Sequence, residues 1–109
     1  MSKGIYLGEF EQLILLAILR LGDDAYGVRI REEIRACTGR EAAIGAVYAT
    51  LDRLESKGLL SSRNADPTPE RGGRAKRYFQ ISAEGKRAVQ VSQAATSAML
   101  KGFESIWNT

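Results

Sequence analysis

Basic side chains are concentrated in the second half of the chain, around a pair of adjacent glycines. Residues 53–87 carry nine of the 16 Lys and Arg residues and four of the 13 Asp and Glu residues, which leaves seven cations against nine acids elsewhere. Four of these cations lie close together in sequence: Arg71, Arg74, Lys76 and Arg77. Such a segment is typical of a protein that binds a polyanion. A solvated surface accounts for the charge equally well, so the neighbouring elements must decide between the two interpretations.

The residue types that common catalytic and metal sites need are scarce. The chain has no histidine and one cysteine, Cys37. Because histidine is the commonest general base and metal ligand, we expect no enzymatic activity, no cofactor and no metal site. Cys37 is expected to be a small buried hydrophobe, with a redox sensor as the alternative. The longest apolar run, residues 13–19, is much shorter than the roughly 20 residues of a membrane-spanning helix, so a cytoplasmic protein without membrane contact is expected.

Residues 43–57 have the periodicity of a helix with two different faces. Four apolar residues share one arc and are expected to face the core: Ile44, Val47, Leu51 and Leu54. The opposite arc is predicted to hold small, hydroxyl and cationic residues: Ala46, Ala49, Thr50, Arg53 and Lys57. Small residues let a helix approach groove walls, Thr can contact a thymine methyl group, and Arg can bind guanine or phosphate. This helix is therefore predicted to lie in the major groove of double-stranded DNA.

A β-hairpin is predicted directly after this helix. Residues 59–64 and 76–82 form its two strands, because apolar and polar residues alternate in the second of them. Gly72 and Gly73 permit a tight tip, and a basic tip of this kind suits the minor groove or the phosphate backbone. The chain is thus predicted to be mainly α with a small β-hairpin. We expect a winged helix-turn-helix domain over residues 1–82, followed by one helix over residues 83–109.

Three further helices complete the predicted fold. The first, residues 9–21, is apolar on nearly every side, so it must be covered on more than one side. The second is capped by Asp23 or Asp24 and stops at Gly39. The last, about 83–107, carries an apolar stripe longer than a small core can cover. Because a second subunit could cover both apolar surfaces, we expect a homodimer. Its interface is predicted to contain Phe10, Leu15, Leu16, Leu19, Ala88, Val91, Ala95, Met99, Phe103 and Ile106.

The combination of motifs resembles the PadR family of transcriptional regulators over roughly residues 6–86. The shared pattern is Gly45-x-x-Tyr48-x-x-Leu51-x-Arg53-Leu54-Glu55-x-x-Gly58-Leu59, then a basic wing, Tyr78 and Ser82-x-x-Gly85. The opening helix and Tyr26-Gly27 are also similar to that family, and the single closing helix resembles its short subgroup. Ala49 departs from the pattern, since many members carry proline there, and Ala43 stands where Ser or Thr often opens the helix.

This resemblance implies a homodimeric repressor that binds double-stranded DNA and is released by a small planar or aromatic effector. Together with the helix pattern, it implies a DNA-binding set: Tyr26, Gly45, Ala46, Tyr48, Ala49, Thr50, Arg53, Lys57, Arg71, Gly73, Arg74 and Lys76. For Tyr26 and Tyr48, packing and phosphate contact are both open. An effector site between the subunits would be lined by Met99, Phe103 and Trp107, with plain interface packing as the other interpretation.

A second function class uses the same fold differently. A winged helix can serve as a protein-interaction module without specific DNA binding, with the third helix docked on a partner. That use requires a large apolar outer face, and the small residues Ala46 and Ala49 do not supply one. The sequence therefore favours DNA.

Overall fold

A computed structural model describes residues 6–65 and 76–107 of the chain. Its elements follow in the order α1 (Glu9–Leu21), a 3₁₀ turn (Gly22–Asp24), α2 (Gly27–Thr38), α3 (Ile44–Ser56), β1 (Leu60–Asn64), β2 (Arg77–Ile81), α4 (Ala83–Leu100) and the short α5 (Glu104–Trp107). The predicted class, mainly helical with a small antiparallel hairpin, is confirmed.

The hydrophobic core lies where α1, α2, α3 and the hairpin meet. Its largest fully buried side chains are Ile14, Leu15, Ile30, Val47, Leu51, Leu54 and Leu59. Three residues of the predicted inner arc of α3 are therefore confirmed, and the fourth, Ile44, packs partly buried against the same cluster. Because α1 contacts α2, α3, α4 and β2, it is the central helix of the fold.

The start of α2 differs from the prediction. Asp23 and Asp24 belong to the 3₁₀ turn, and Tyr26 is the N-cap residue, so the expected Asp cap is wrong. Asp24 instead accepts a hydrogen bond from Nε of Arg29 at 3.1 Å. The end of α2 is as expected, since Gly39 takes a left-handed conformation with φ of 77°.

The hairpin is antiparallel, with Leu60 opposite Ile81 and Asn64 opposite Arg77. The hairpin contacts α3, and it is also joined to the segment between the 3₁₀ turn and α2, because the backbone N–H of Phe79 donates to the carbonyl of Ala25 at 2.8 Å. The predicted tip residues Arg71, Gly72, Gly73 and Arg74 lie outside the described residues.

The last helix is shorter than predicted. Ser82 caps α4 by accepting from the backbone N–H of Gly85, but α4 ends at Leu100 instead of continuing to 107. Gly102 has a φ of 93°, which an α-helix cannot contain, and α5 begins after it. The apolar stripe expected on one helix is consequently divided between α4 and α5.

Candidate nucleic-acid interface

Four of the five residues predicted on the outer arc of α3 are exposed, namely Ala46, Ala49, Arg53 and Lys57. Thr50 is only 4% exposed, so its predicted place on the outer arc is wrong. Nη2 of Arg53 donates to Oγ1 of Thr50 at 3.4 Å, and Nε of the same guanidinium donates to Glu11 of α1, so this side of α3 faces α1. The face that remains exposed runs along Gly45, Ala49, Asp52 and Ser56.

Arg53 and Lys57 border this exposed face and share one partner on α1. Nε of Arg53 and Nζ of Lys57 both lie 3.1 Å from Oε2 of Glu11, whose side chain is 10% exposed. The other carboxylate oxygen of Glu11 accepts the backbone N–H of Gly8 at 2.9 Å. Burial by itself raises the pKa of Glu11, but these hydrogen bonds outweigh burial and hold the pKa below its ordinary value. The carboxylate thus stays ionised and orients two cations of the predicted DNA-binding set.

Tyr48 connects α3 to the start of α2. Its ring lies directly over the backbone of Gly27, so an added Cβ at that position would collide with the hydroxyl end of the ring. Only glycine allows this contact, which accounts physically for the Tyr26-Gly27 pair in the sequence. Tyr48 therefore packs, as one of the two interpretations held, while its side chain remains partly exposed beside the outer face of α3.

Aromatic and basic side chains alternate at the base of the hairpin. The rings of Tyr26 and Tyr78 meet edge to face, with centroids 5.6 Å apart. Nζ of Lys76 lies 3.9 Å from the centroid of Tyr26, and the guanidinium carbon of Arg63 lies 4.9 Å from that of Tyr78. These cation–π contacts hold positive charge beside Tyr26, the N-cap residue of α2, and beside Tyr78 on β2.

Arg77 is a functional candidate that the predicted DNA-binding set does not contain. It opens β2, within the predicted second strand, and its guanidinium contacts two acids of α3, Asp52 at 3.0 Å and Glu55 at 2.6 Å. Burial alone lowers the pKa of Arg77, and the hydrogen bonds to the two carboxylates more than reverse this, so its pKa is raised. The i to i+3 spacing of Asp52 and Glu55 was the available signal, since it places two acids on neighbouring turns.

The predicted dimer residues differ in exposure and form three groups. Leu15 and Ala88 are buried within the chain's own core, so the expectation that they face a partner is wrong; α1 and α4 pack against each other there. Phe10 and Val91 are partly buried. The remaining members are exposed, namely Leu16, Leu19, Ala95, Met99, Phe103 and Ile106, and Trp107 is exposed beside them.

A shallow apolar groove runs between α1 and α2. Leu13, Leu16 and Ile34 contribute its apolar lining, and Cys37 lies at its edge. The prediction of a buried Cys37 is wrong, because the last turn of α2 extends beyond the core and leaves this residue exposed. Its thiol donates to Glu33 at 3.5 Å, and Nε of Arg20 donates to the same carboxylate oxygen at 2.7 Å. The hydrogen bond from Arg20 is the main cause of the lowered pKa of Glu33.

Over residues 6–65 and 76–107, no group of three or more His, Cys, Asp or Glu side chains is arranged to hold a metal ion. None of the helices in the described part of the chain combines the length and apolar character needed to cross a membrane.

Three helices followed by a two-stranded hairpin, with the third helix exposed beside the hairpin, define a winged helix-turn-helix, a class of DNA-binding fold. The family model described as "Transcriptional regulator PadR-like family" matches residues 15–91. The chain belongs to this family, which places it among transcriptional regulators rather than enzymes. No curated protein matches the sequence significantly.

Solved structures of PadR proteins have the same fold. A PadR family transcriptional regulator from Eggerthella lenta is 25% identical, covers 93% of this chain and 88% of its own, and has a TM-score of 0.68. A PadR family regulator from Clostridium difficile is 23% identical, with coverage of 90% and 98% and a TM-score of 0.68. A PadR-like regulator from Bacillus cereus is 15% identical, with coverage of 92% of both chains and a TM-score of 0.71.

Proposed function

We propose that the chain is a homodimeric repressor that binds a pseudo-palindromic operator and is released by a small aromatic effector. The observation that carries the DNA-binding part is the exposed face of α3, which has small side chains along its first half and cations at its border. A cytoplasmic location follows from the proposal, because such a regulator must reach the DNA.

The first half of α3 is suited to close approach. Gly45, Ala46 and Ala49 are exposed, and among the described residues no atom beyond its chain neighbours and the adjacent backbone of α3 lies within 4 Å of the position that a Cβ on Gly45 would take. A helix surface of this kind lets the backbone approach base edges and groove walls. Phosphates on either side would then contact cations: Arg53 and Lys57 along α3, and Lys76 at the base of the hairpin.

The wing supplies the second contact in this proposal. Arg71, Gly73 and Arg74 are expected to bind phosphates or enter the minor groove beyond Lys76. Tyr26 lies under Lys76 and between α2 and the hairpin, so a phosphate contact through its hydroxyl would add to its packing role.

Dimerisation is supported by apolar side chains at two separate places. Leu16 and Leu19 are exposed on α1, and Met99, Phe103 and Ile106 are exposed on α4 and α5. Grouped exposed apolar residues commonly mark an interface. A two-fold dimer would place its two α3 helices in successive major grooves, about 34 Å apart.

The effector would bind where these C-terminal residues meet the partner. Met99, Phe103 and Trp107 are 78%, 48% and 65% exposed, which supports an apolar, partly aromatic surface for a planar compound or for packing between subunits. Such a ligand releases DNA only if it binds the non-DNA arrangement of the dimer more tightly.

The alternative function, a protein-interaction module, would require an apolar outer face on α3. The exposed residues there are small or polar (Gly45, Ala46, Ala49, Asp52, Arg53, Ser56 and Lys57) except for Tyr48, which is 36% exposed and is a single ring rather than an apolar face. This composition supports DNA over an apolar protein partner.

Fluorescence anisotropy tests the proposal directly. The wild-type protein is titrated against duplex DNA from upstream of its own coding region and against a scrambled duplex of the same length at the same salt concentration. A preference of about 100-fold, near 3 kcal/mol, is expected for the upstream duplex. Equal weak binding to both would contradict sequence-specific autoregulation, and binding to neither would favour the protein-interaction alternative.

A further inference from the structure

Arg77 joins the hairpin to the helix that is proposed to enter the major groove. Its Nε donates to Oγ of Ser62 at 3.2 Å, Nη1 to Oδ1 of Asp52 at 3.0 Å, and Nη2 to Oε1 of Glu55 at 2.6 Å. Oγ of Ser62 donates in turn to Glu55, with distances of 3.1 and 3.0 Å to its two oxygens. All three nitrogens of this guanidinium are therefore engaged by the chain's own acceptors.

The two acids of this cluster are badly placed for a DNA-binding surface if they are left alone. Asp52 is 62% exposed and lies between Ala49 and Ser56 on the open face of α3. A carboxylate there would face the phosphate backbone, and a juxtaposition of like charges is unfavourable for binding. Glu55 lies one turn further along the helix, beside the hairpin. With Arg77 the three groups carry a net charge of −1, and without it they carry −2.

We propose that Arg77 is a positioning residue that sets the DNA affinity of α3 by masking Asp52 and Glu55. The inference rests on the proposed function, because it assigns a role only if the open face of α3 binds DNA. Arg77 does not need to contact a phosphate itself. The planar guanidinium of Arg77 neutralises one carboxylate and holds the other against the hairpin. The ammonium group of a lysine, a single charge on a flexible chain, would do this less well.

Charge variants at two positions test this masking. The wild type, Arg77→Gln, Asp52→Asn and the double variant are titrated by anisotropy against a mixed-sequence duplex at several salt concentrations. The local charges are −1, −2, 0 and −1 respectively. Asp52→Asn should therefore bind most tightly, the wild type and the double variant should bind about equally, and Arg77→Gln should bind about tenfold more weakly than the wild type at low salt.

The salt series separates masking from a purely structural role. Differences caused by charge should shrink as salt increases, because the interaction is screened. Arg20→Gln is the matched control, because it removes the same charge and breaks one ion pair, with Glu33, on the α1–α2 face. This control should bind DNA as the wild type does. Circular dichroism spectra verify that each variant is folded, and Asp52→Asn tests the masking even if Arg77→Gln unfolds.

Two results would overturn the inference while leaving the proposed function intact. One is wild-type affinity in both Arg77→Gln and Asp52→Asn. The other is a double variant that binds as weakly as Arg77→Gln, since a lost structural contact is not restored by removing a second partner. If the wild type binds no duplex at any salt concentration, the proposed function fails, and this inference fails with it.

Discussion

Replacing Gly85 by alanine should destabilise the fold, whereas the same replacement at Gly45 should not. Gly85 is buried near the start of α4, where an added Cβ would collide with the carbonyl oxygen of Leu59 and lie 2.7 Å from Cγ1 of Ile81. The carbonyl of Leu59 is also held in place, because it accepts the backbone N–H of Ser82 at 3.1 Å. The obstacle is therefore backbone that cannot shift without loss of a hydrogen bond.

The size of the effect follows from two opposing contributions. Overpacking costs about 1–3 kcal/mol, and the upper end applies when backbone must move. Alanine recovers about 1 kcal/mol of helix propensity relative to glycine, which leaves a net loss of about 2 kcal/mol. Each kcal/mol lowers the Tm of a domain of this size by roughly 4–8 °C, so a Tm lower by about 10 °C is expected.

Thermal unfolding followed by circular dichroism measures this loss. Protein concentration is kept constant, since the Tm of the proposed dimer would depend on it. Gly45→Ala is the matched control, because Gly45 also lies in the first turn of a helix and its Cβ would meet open space. The control should unfold at the wild-type temperature or slightly above it. If Gly85→Ala were as stable as the wild type, the argument from close packing would be refuted.

Three other perturbations test the contacts described above. Gly27→Ala should lower the free energy of unfolding in urea by less than about 1 kcal/mol, because the obstructing ring of Tyr48 is the free end of a side chain and can rotate. The same variant should bind duplex DNA more weakly in anisotropy, and an unchanged affinity would contradict a role for this contact in DNA binding. Glu11→Gln should lower the free energy of unfolding in urea by about 2 kcal/mol at neutral pH, because Arg53 and Lys57 lose the carboxylate that they share. Since the folded-state pKa of Glu11 is lowered, the wild-type advantage should be present above the unfolded pKa and disappear as the pH falls through the folded pKa; a pH-independent difference would contradict this. Leu19→Glu should yield monomers in sedimentation velocity. Val28→Glu is the control, because Val28 is 39% exposed and Leu19 is 43% exposed, and this variant should stay dimeric. A dimeric Leu19→Glu variant would count against the proposed interface.

Local sequence patterns predicted most element boundaries. The bounds of α1 are those expected, and α3 and both strands lie within about one residue of their predicted ends. These elements were accessible because side-chain periodicity and helix-stopping glycines are properties of the chain itself. Gly39 and Gly58 both have a φ of 77°, a conformation that favours glycine whatever the rest of the fold does.

The end of α4 shows where local reasoning weakens. Gly102 was visible in the sequence, but the apolar spacing continued through Phe103 and Ile106 and favoured one long helix. Glycine lowers helix propensity by only about 1 kcal/mol, so a pattern of larger side chains can conceal a break. In the structure, Gly102 has a φ of 93° and the helix is interrupted there, despite the continuing apolar spacing.

Periodicity and helix-stopping glycines predicted α1, α3, the hairpin and the core-facing arc of α3, because each depends on residues close together along the chain. The family was also predictable, since each of the motifs of residues 45–59 and 78–85 is a contiguous segment. The packing of the helices was needed to show which other side of α3 is covered, and hence that Thr50 is buried while Asp52 is exposed. It also brought Glu11 to Arg53 and Arg77 to Asp52, pairs 42 and 25 residues apart. The periodicity of a helix shows which residues lie on the same side of it. Which neighbouring element covers each side depends on how all the helices pack together.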